Sequence, residues 1–161
     1  MTHPSNPFPR IGLGWDTHQL AAGRACVLGG VLLDSPLGPL GHSDGDAILH
    51  ALTDALLGAA GLDDIGTLFP DHSAANKDRN SAEFLGAAME KLGDQNLQLA
   101  SADLVVICDE PRIGPYRQSI RENLSQLMNI PVDRVNLKGK STEGGDDNRV
   151  TVQAVVLLVN A

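Results

Sequence analysis

Aromatic residues are scarce. Three Phe, one Tyr and one Trp make up 3% of the 161 residues, so core packing must rest on Leu, Val, Ile and Ala. Basic residues are also in deficit. Twelve Lys and Arg against twenty Asp and Glu give a formal net charge of −8, which argues against a nucleic-acid-binding surface. Cysteine is limited to Cys26 and Cys108. They show no paired-motif spacing, so a reduced, cytoplasmic setting is expected. No apolar run reaches the roughly 20 residues of a bilayer span, and no membrane partner is expected. The opening MTHPSNPFPR has one basic residue and no apolar stretch, unlike a targeting peptide. With 42% hydrophobic residues, the chain has the composition of one globular domain. Residues 1–9 read as a flexible lead and 10–161 as that domain. The acidic balance makes an anionic ligand awkward unless a cation or backbone donors compensate locally.

The pattern along the chain is mixed. Residues 10–19 and about 25–34 read as strands joined by a turn at AAGRA, an N-terminal antiparallel hairpin. SPLGPLG reads as loop punctuation. SDGDAILHALTDALLGAAG has helical periodicity, with Ser43 or Asp44 as the cap and Gly58 or Gly61 at the end. LDDIGTLFPDHSAANKDRN is a long irregular stretch of the functional or mobile kind. A second helix opens at Asn80 or Ser81. LQLASADLVVICD is a strand, a third helix follows EPRIGP, and VNLKGK and VTVQAVVLLV are two further strands. The expected fold is α/β: a single-layer mixed sheet with helices on one face.

Two polar groupings stand out. Asp16 and His18, at i and i+2 of a strand, project to one side. They suit a surface accident, a hydrogen-bonded pair or two metal ligands. Asp46, His50 and Asp54, at i, i+4 and i+8, share a helix face, and a solvated polar face is the bland reading of them. Taken together, Asp16, His18 and His50 have the chemistry of a catalytic zinc site with three N/O ligands and one open position. Asp46 and Asp54 are then expected to orient the histidines from behind.

RIGLGWDTHQL, GHSDGDAILHALTDALLGAAGLDDIGTLFPD and VNLKGKSTE together resemble the 2-C-methyl-D-erythritol 2,4-cyclodiphosphate synthase family, from Arg10 to about Glu143 and again in the last strand. The resemblance implies a homotrimer with an active site at each subunit interface. It implies cyclisation of 4-diphosphocytidyl-2-C-methyl-D-erythritol 2-phosphate with release of CMP, in non-mevalonate isoprenoid synthesis. It places a Zn²⁺ (or another divalent cation) on Asp16, His18 and His50, and a Mg²⁺ or Mn²⁺ on the substrate diphosphate with Glu143. His42 and Ser141 fall at catalytic positions. Ser43, Asp64, Ile65, Gly66, Phe69, Pro70, Asp71, Lys140 and Thr142 fall at substrate-binding positions. Cys108, Asp109, Glu110, Pro111, Arg112, Ile113 and Gly114 align with the cytidine-binding segment. Three departures are visible, the first being that CDEPRIG differs from the family's usual small and amide residues before the proline. Lys140 and Ser141 stand where the family has threonines, and the turn GGDDNRV after Glu143 is short, with Arg149 out of register with the family's arginine.

Overall fold

The computed structural model describes residues 8–70, 79–146 and 148–161. The expected lead therefore lies almost wholly outside the described residues, as does Asp71.

Five strands form one mixed sheet. They are β1 (Arg10–Ala22), β4 (Leu37–Pro39), β5 (Leu97–Ile107), β6 (Val135–Lys140) and β7 (Arg149–Asn160), in the order β4-β1-β7-β5-β6. β7 runs antiparallel to both β1 and β5, and β6 runs parallel to β5. The strand pattern of one covered face explains the burial. In β7, Val150, Val152, Ala154, Val156 and Leu158 are buried, while the residues between them are more open. Helices α1 (Ala47–Ala59), α3 (Ser81–Asp94) and α4 (Arg117–Met128) cover that inner face, with α1 across β1 and β7. The one-layer sheet with helices on one face is thus as the sequence pattern reads.

Three local readings need correction. Residues 25–34 are not one strand paired with β1. They fold on themselves as β2 (Cys26–Leu28) and β3 (Val31–Leu33), a separate two-stranded sheet. Gly29 and Gly30, at φ 62° and 73°, make a turn that side chains disfavour. SPLGPLG is not only loop, since Leu37–Pro39 pairs with Leu20–Ala22. This strand lies at the sheet edge, where a proline costs no ladder hydrogen bond. Finally, α1 starts later than its pattern suggests. Its cap is Asp46, whose carboxylate accepts from Ile48 N and Leu49 N. The irregular stretch after α1 also contains a short helix, α2 (Ile65–Leu68), capped by Asp64.

The inner face of β1 carries Gly12, Gly14, Asp16 and His18 in succession. The two glycines are buried and the Asp and His half-buried. A Cβ on Gly12 would meet the Ala55 carbonyl oxygen at 1.9 Å. The missing side chains let α1 lie directly on β1. This brings the first turn of α1, with His50, over the strand residues that follow the glycines.

Candidate active site

Asp16, His18 and His50 converge. Asp16 Oδ2 lies 2.8 Å from His18 Nε2 and 3.3 Å from His50 Nδ1, and the two ring nitrogens are 3.4 Å apart. Each residue offers one ligand atom, and these atoms lie within 4.8 Å of one another. The other nitrogen of each ring is engaged. His18 Nδ1 is 2.6 Å from the Leu40 carbonyl oxygen, an acceptor, so Nδ1 carries a hydrogen. Neutral His18 therefore turns the bare lone pair of Nε2 toward a carboxylate oxygen. Opposite that neutral ring, the buried Asp16 Oδ2 has no hydrogen-bond donor. Lone pairs that face one another in a half-buried site demand a cation.

Without metal, a proton fills that role. Burial pushes the Asp16 carboxyl up, but hydrogen bonding and charge from His18 and His50 outweigh it and hold the group at about 2. Burial likewise pushes His18 down, and Asp16 more than reverses this, so His18 titrates above its ordinary value. A divalent cation held by Asp16, His18 and His50 would satisfy all three donor atoms, and a carboxylate with two imidazoles is a donor set that suits zinc. Gly41 borders the site closely. A Cβ there would meet the His18 ring at 3.2 Å.

The carboxylates expected behind the histidines work elsewhere. Asp46 is fully buried, and its oxygens accept from Gly29, Gly30, Ile48 and Leu49 amides. It ties the turn between β2 and β3 to the start of α1, and these four amides, not the His50 ring, are its partners. As the cap it has non-helical backbone angles, so it departs from the helix face assumed from the spacing. Asp54 accepts from Ile65 N at 2.8 Å and so holds α2, not a histidine. The residues that do meet the outer nitrogen of His50 are Ser81 at 2.8 Å and Ser43 at 3.2 Å. The sequence pattern marks Ser81 only as a helix start. No spacing rule links it to His50, because the two lie on different helices.

A cavity of about 250 Å³ opens over the cluster. Its walls include His42, Ser43, Ile65, Gly66 and Phe69 beside Asp16, His18 and His50. The Phe69 ring packs on Phe84 at 4.7 Å, with the Arg79 guanidinium over both rings. Asp64 accepts from Thr67, which holds its carboxyl below the usual range.

A second, larger cavity of about 910 Å³ is lined by Cys108, Asp109, Glu110, Arg112, Ile113 and Gly114 together with Lys140 and Ser141. Thr142 directs its amide and hydroxyl at the Asp109 carboxylate, so these loops pin each other. Ser141 donates to Glu143 at 2.6 Å. Burial pushes the Cys108 thiol up to about 12. Among the described residues the two cavities share no wall. In the short turn after Glu143, Arg149 pairs with Asp146 at 2.9 Å.

The YgbB family model matches residues 9–159. A 2-C-methyl-D-erythritol 2,4-cyclodiphosphate synthase of Thermus thermophilus is 47% identical over 149 residues, covering 92% of this chain and 98% of its own. That of Aquifex aeolicus is 43% identical over 151 residues, covering 93% and 97%. A solved 2C-methyl-D-erythritol-2,4-cyclodiphosphate synthase in a CDP-bound form superposes with a TM-score of 0.89 at 48% identity, covering 92% of this chain and 99% of that one. Near-complete coverage in both directions leaves no large part of either fold unmatched, and this chain therefore belongs to the YgbB family, that of the 2-C-methyl-D-erythritol 2,4-cyclodiphosphate synthases.

Proposed function

We propose that the chain converts 4-diphosphocytidyl-2-C-methyl-D-erythritol 2-phosphate to 2-C-methyl-D-erythritol 2,4-cyclodiphosphate and CMP, as a phosphorus–oxygen lyase. The observation that carries this reading is the convergence of Asp16, His18 and His50 in a chain of this family. These three would hold Zn²⁺ or a similar divalent ion, and Glu143 a Mg²⁺ or Mn²⁺. When bound, such cations neutralise and polarise the diphosphate. The nucleophile is the 2-phosphate oxygen. It forms a bond to the β-phosphorus while the bond from that phosphorus to the bridging oxygen breaks, and the electron pair leaves with CMP. An anionic nucleophile needs no strong base, so the chain's own work is orientation.

His42, Ser43, Ile65 and Gly66 border the cavity over the cluster and, with the adjoining Asp64, are proposed to position the erythritol and its phosphate. Pro70 and Asp71 are proposed to join them in binding substrate. The segment Cys108–Gly114 is proposed to read the cytosine edge, with Lys140, Ser141 and Thr142 facing the phosphates. His42, Ser43, Ile65 and Gly66 line one cavity, and Cys108, Asp109, Arg112, Lys140 and Ser141 line the other, which supports an active site completed by a second copy. The outer sheet face supports it too. Ile11, Leu13 and Trp15 alternate along β1 at 76%, 70% and 54% exposure, with Val155 of β7 opposite Leu13. A homotrimer that buries this face would remove the apolar stripe from water.

Phosphorus NMR of the protein with substrate, Zn²⁺ and Mg²⁺ tests the activity. Cyclic diphosphate and CMP are expected. Linear phosphate products would point instead to a nucleotide diphosphate hydrolase on the same scaffold, and CMP binding without turnover to a non-catalytic relative.

A further inference from the structure

We propose that Ser81, held by Asp44, is a positioning residue that locks the His50 imidazole in the one tautomer able to bind a metal through Nδ1. The inference rests on the metal-site reading above. It starts from a count of hydrogens. An ionised carboxylate only accepts. Asp44 takes the Ser81 backbone N–H at 3.0 Å on one oxygen and the Ser81 hydroxyl on the other. A hydroxyl has one hydrogen, so that of Ser81 is committed. Toward His50 Nε2, 2.8 Å away, Ser81 offers lone pairs alone. A bare ring nitrogen at this distance would be repelled. Nε2 must therefore carry the hydrogen and donate it to Ser81, which leaves Nδ1 bare and directed at Asp16 and His18.

Ser43 is the competitor. Its hydroxyl oxygen is 3.2 Å from the same Nε2. Were Ser43 the donor, Nε2 would be an acceptor, Nδ1 would be protonated, and the hydrogen would point into the metal position. That arrangement sets the Nε2 lone pair against Ser81 at the shorter of the two distances. The geometry favours Ser81 as acceptor, with Ser43 a weaker partner that also accepts from Gly45 N at 3.4 Å. Ser81 is fully buried, so water does not substitute for it.

The arrangement draws on three segments. Asp44 lies in the loop before α1, Ser81 is the first residue of α3, and His50 is in the first turn of α1. The ligand strength of a residue on α1 is thus set by the docking of α3. A carboxylate behind a metal-bound histidine is a common device, and its removal typically lowers metal affinity by about 10–100-fold. Here a serine is interposed between the two.

Zinc competition with a chromophoric chelator and long-range ¹H–¹⁵N correlation of the histidine rings at pH 8, in the zinc-free full chain, test the assignment. The wild type is expected to show His50 with hydrogen on Nε2. Ser81→Ala should weaken zinc by about 10–100-fold and admit the Nδ1–H tautomer, and Ser81→Thr should restore both. Should Ser81→Ala fail to fold, Asp44→Asn serves in its place. The new amide can donate to Ser81, free its hydroxyl for His50, and shift the tautomer. An Nδ1–H tautomer in the wild type, wild-type zinc affinity in a folded Ser81→Ala, or a tautomer shift in Ser43→Ala but not in Ser81→Ala would each overturn the proposal. Full zinc occupancy in His50→Ala is a different failure, that of the metal site itself.

Discussion

Gly14 and Ala51 are pressed together so closely that a methyl group on Gly14 would lie 1.8 Å from the Ala51 carbonyl oxygen. The contact fixes how far α1 stands from β1, and so how far His50 stands from Asp16 and His18. Gly14→Ala has no flexible side chain to push aside, only backbone. It is expected to destabilise the chain by at least ~3 kcal/mol, beyond ordinary overpacking, and to lose zinc with the fold. Gly58→Ala is the control, since a Cβ there meets nothing within 4 Å. It should stabilise α1 by about 0.5–1 kcal/mol. Urea unfolding of the two variants should give shifts of opposite sign.

Asp46 makes a second prediction. Its carboxylate serves four backbone amides at the junction of α1 with the turn between β2 and β3. Asp46→Ala removes the cap, worth about 1 kcal/mol, and strands the Gly29 and Gly30 amides, at about 1–3 kcal/mol each. A loss of about 3–7 kcal/mol is expected in chemical denaturation. A cost under ~1 kcal/mol would show that water replaces the carboxylate.

The Asp16–His18 pair predicts a pH window in metal-free protein. The Asp16 pKa is depressed to about 2 from 3.8, so its contribution is present above the unfolded value and lost as pH falls toward 2. The His18 pKa is raised from 6.5, so its contribution is present below 6.5 and lost as pH rises through the raised value. Stability in EDTA should therefore carry a hump between about pH 4 and the raised His18 value. The hump is shared by the two groups and should vanish in Asp16→Asn. Zinc needs neutral His18, so its affinity should climb with pH across the upper edge of the same window. Titrations with and without chelator check both arms.

The Asp16–His18–His50 cluster is legible in the sequence because simple signals carry it. Alternation puts Asp16 and His18 on one side of a strand, and the donor chemistry of a helical histidine joins them to His50, as the family resemblance does independently. The sequence concealed the local geometry of the glycine and proline segments. Gly29 and Gly30 look like punctuation after a strand, yet their positive φ folds residues 26–33 back on themselves. Leu37–Pro39 reads as loop because proline is a poor strand former, although an edge position tolerates it. Helical spacing alone misplaces Asp46 and Asp54, because a cap leaves the helix face and a loop amide can capture a carboxylate. The Asp44–Ser81–His50 contact joins residues 31 and more positions apart, and no local pattern announces it.

That the two cavities share no wall among the described residues has a consequence for genetics. If each site takes its Asp/His/His half from one subunit and its Lys140–Glu143 half from the next, a chain can be dead in either half and still be useful. His50→Ala keeps the second half intact, and Glu143→Ala keeps the first. Each alone should form inactive trimers. Unfolded together and refolded as a random mixture, they produce trimers of both parents, and every mixed ring holds one junction where two undamaged halves meet. Roughly three quarters of random rings are mixed, and about one site in three works in each. About a quarter of wild-type activity should therefore return from two inactive proteins. Activity that stays at zero after mixing, with mixed trimers verified by mass spectrometry, would mean that each chain builds its site alone.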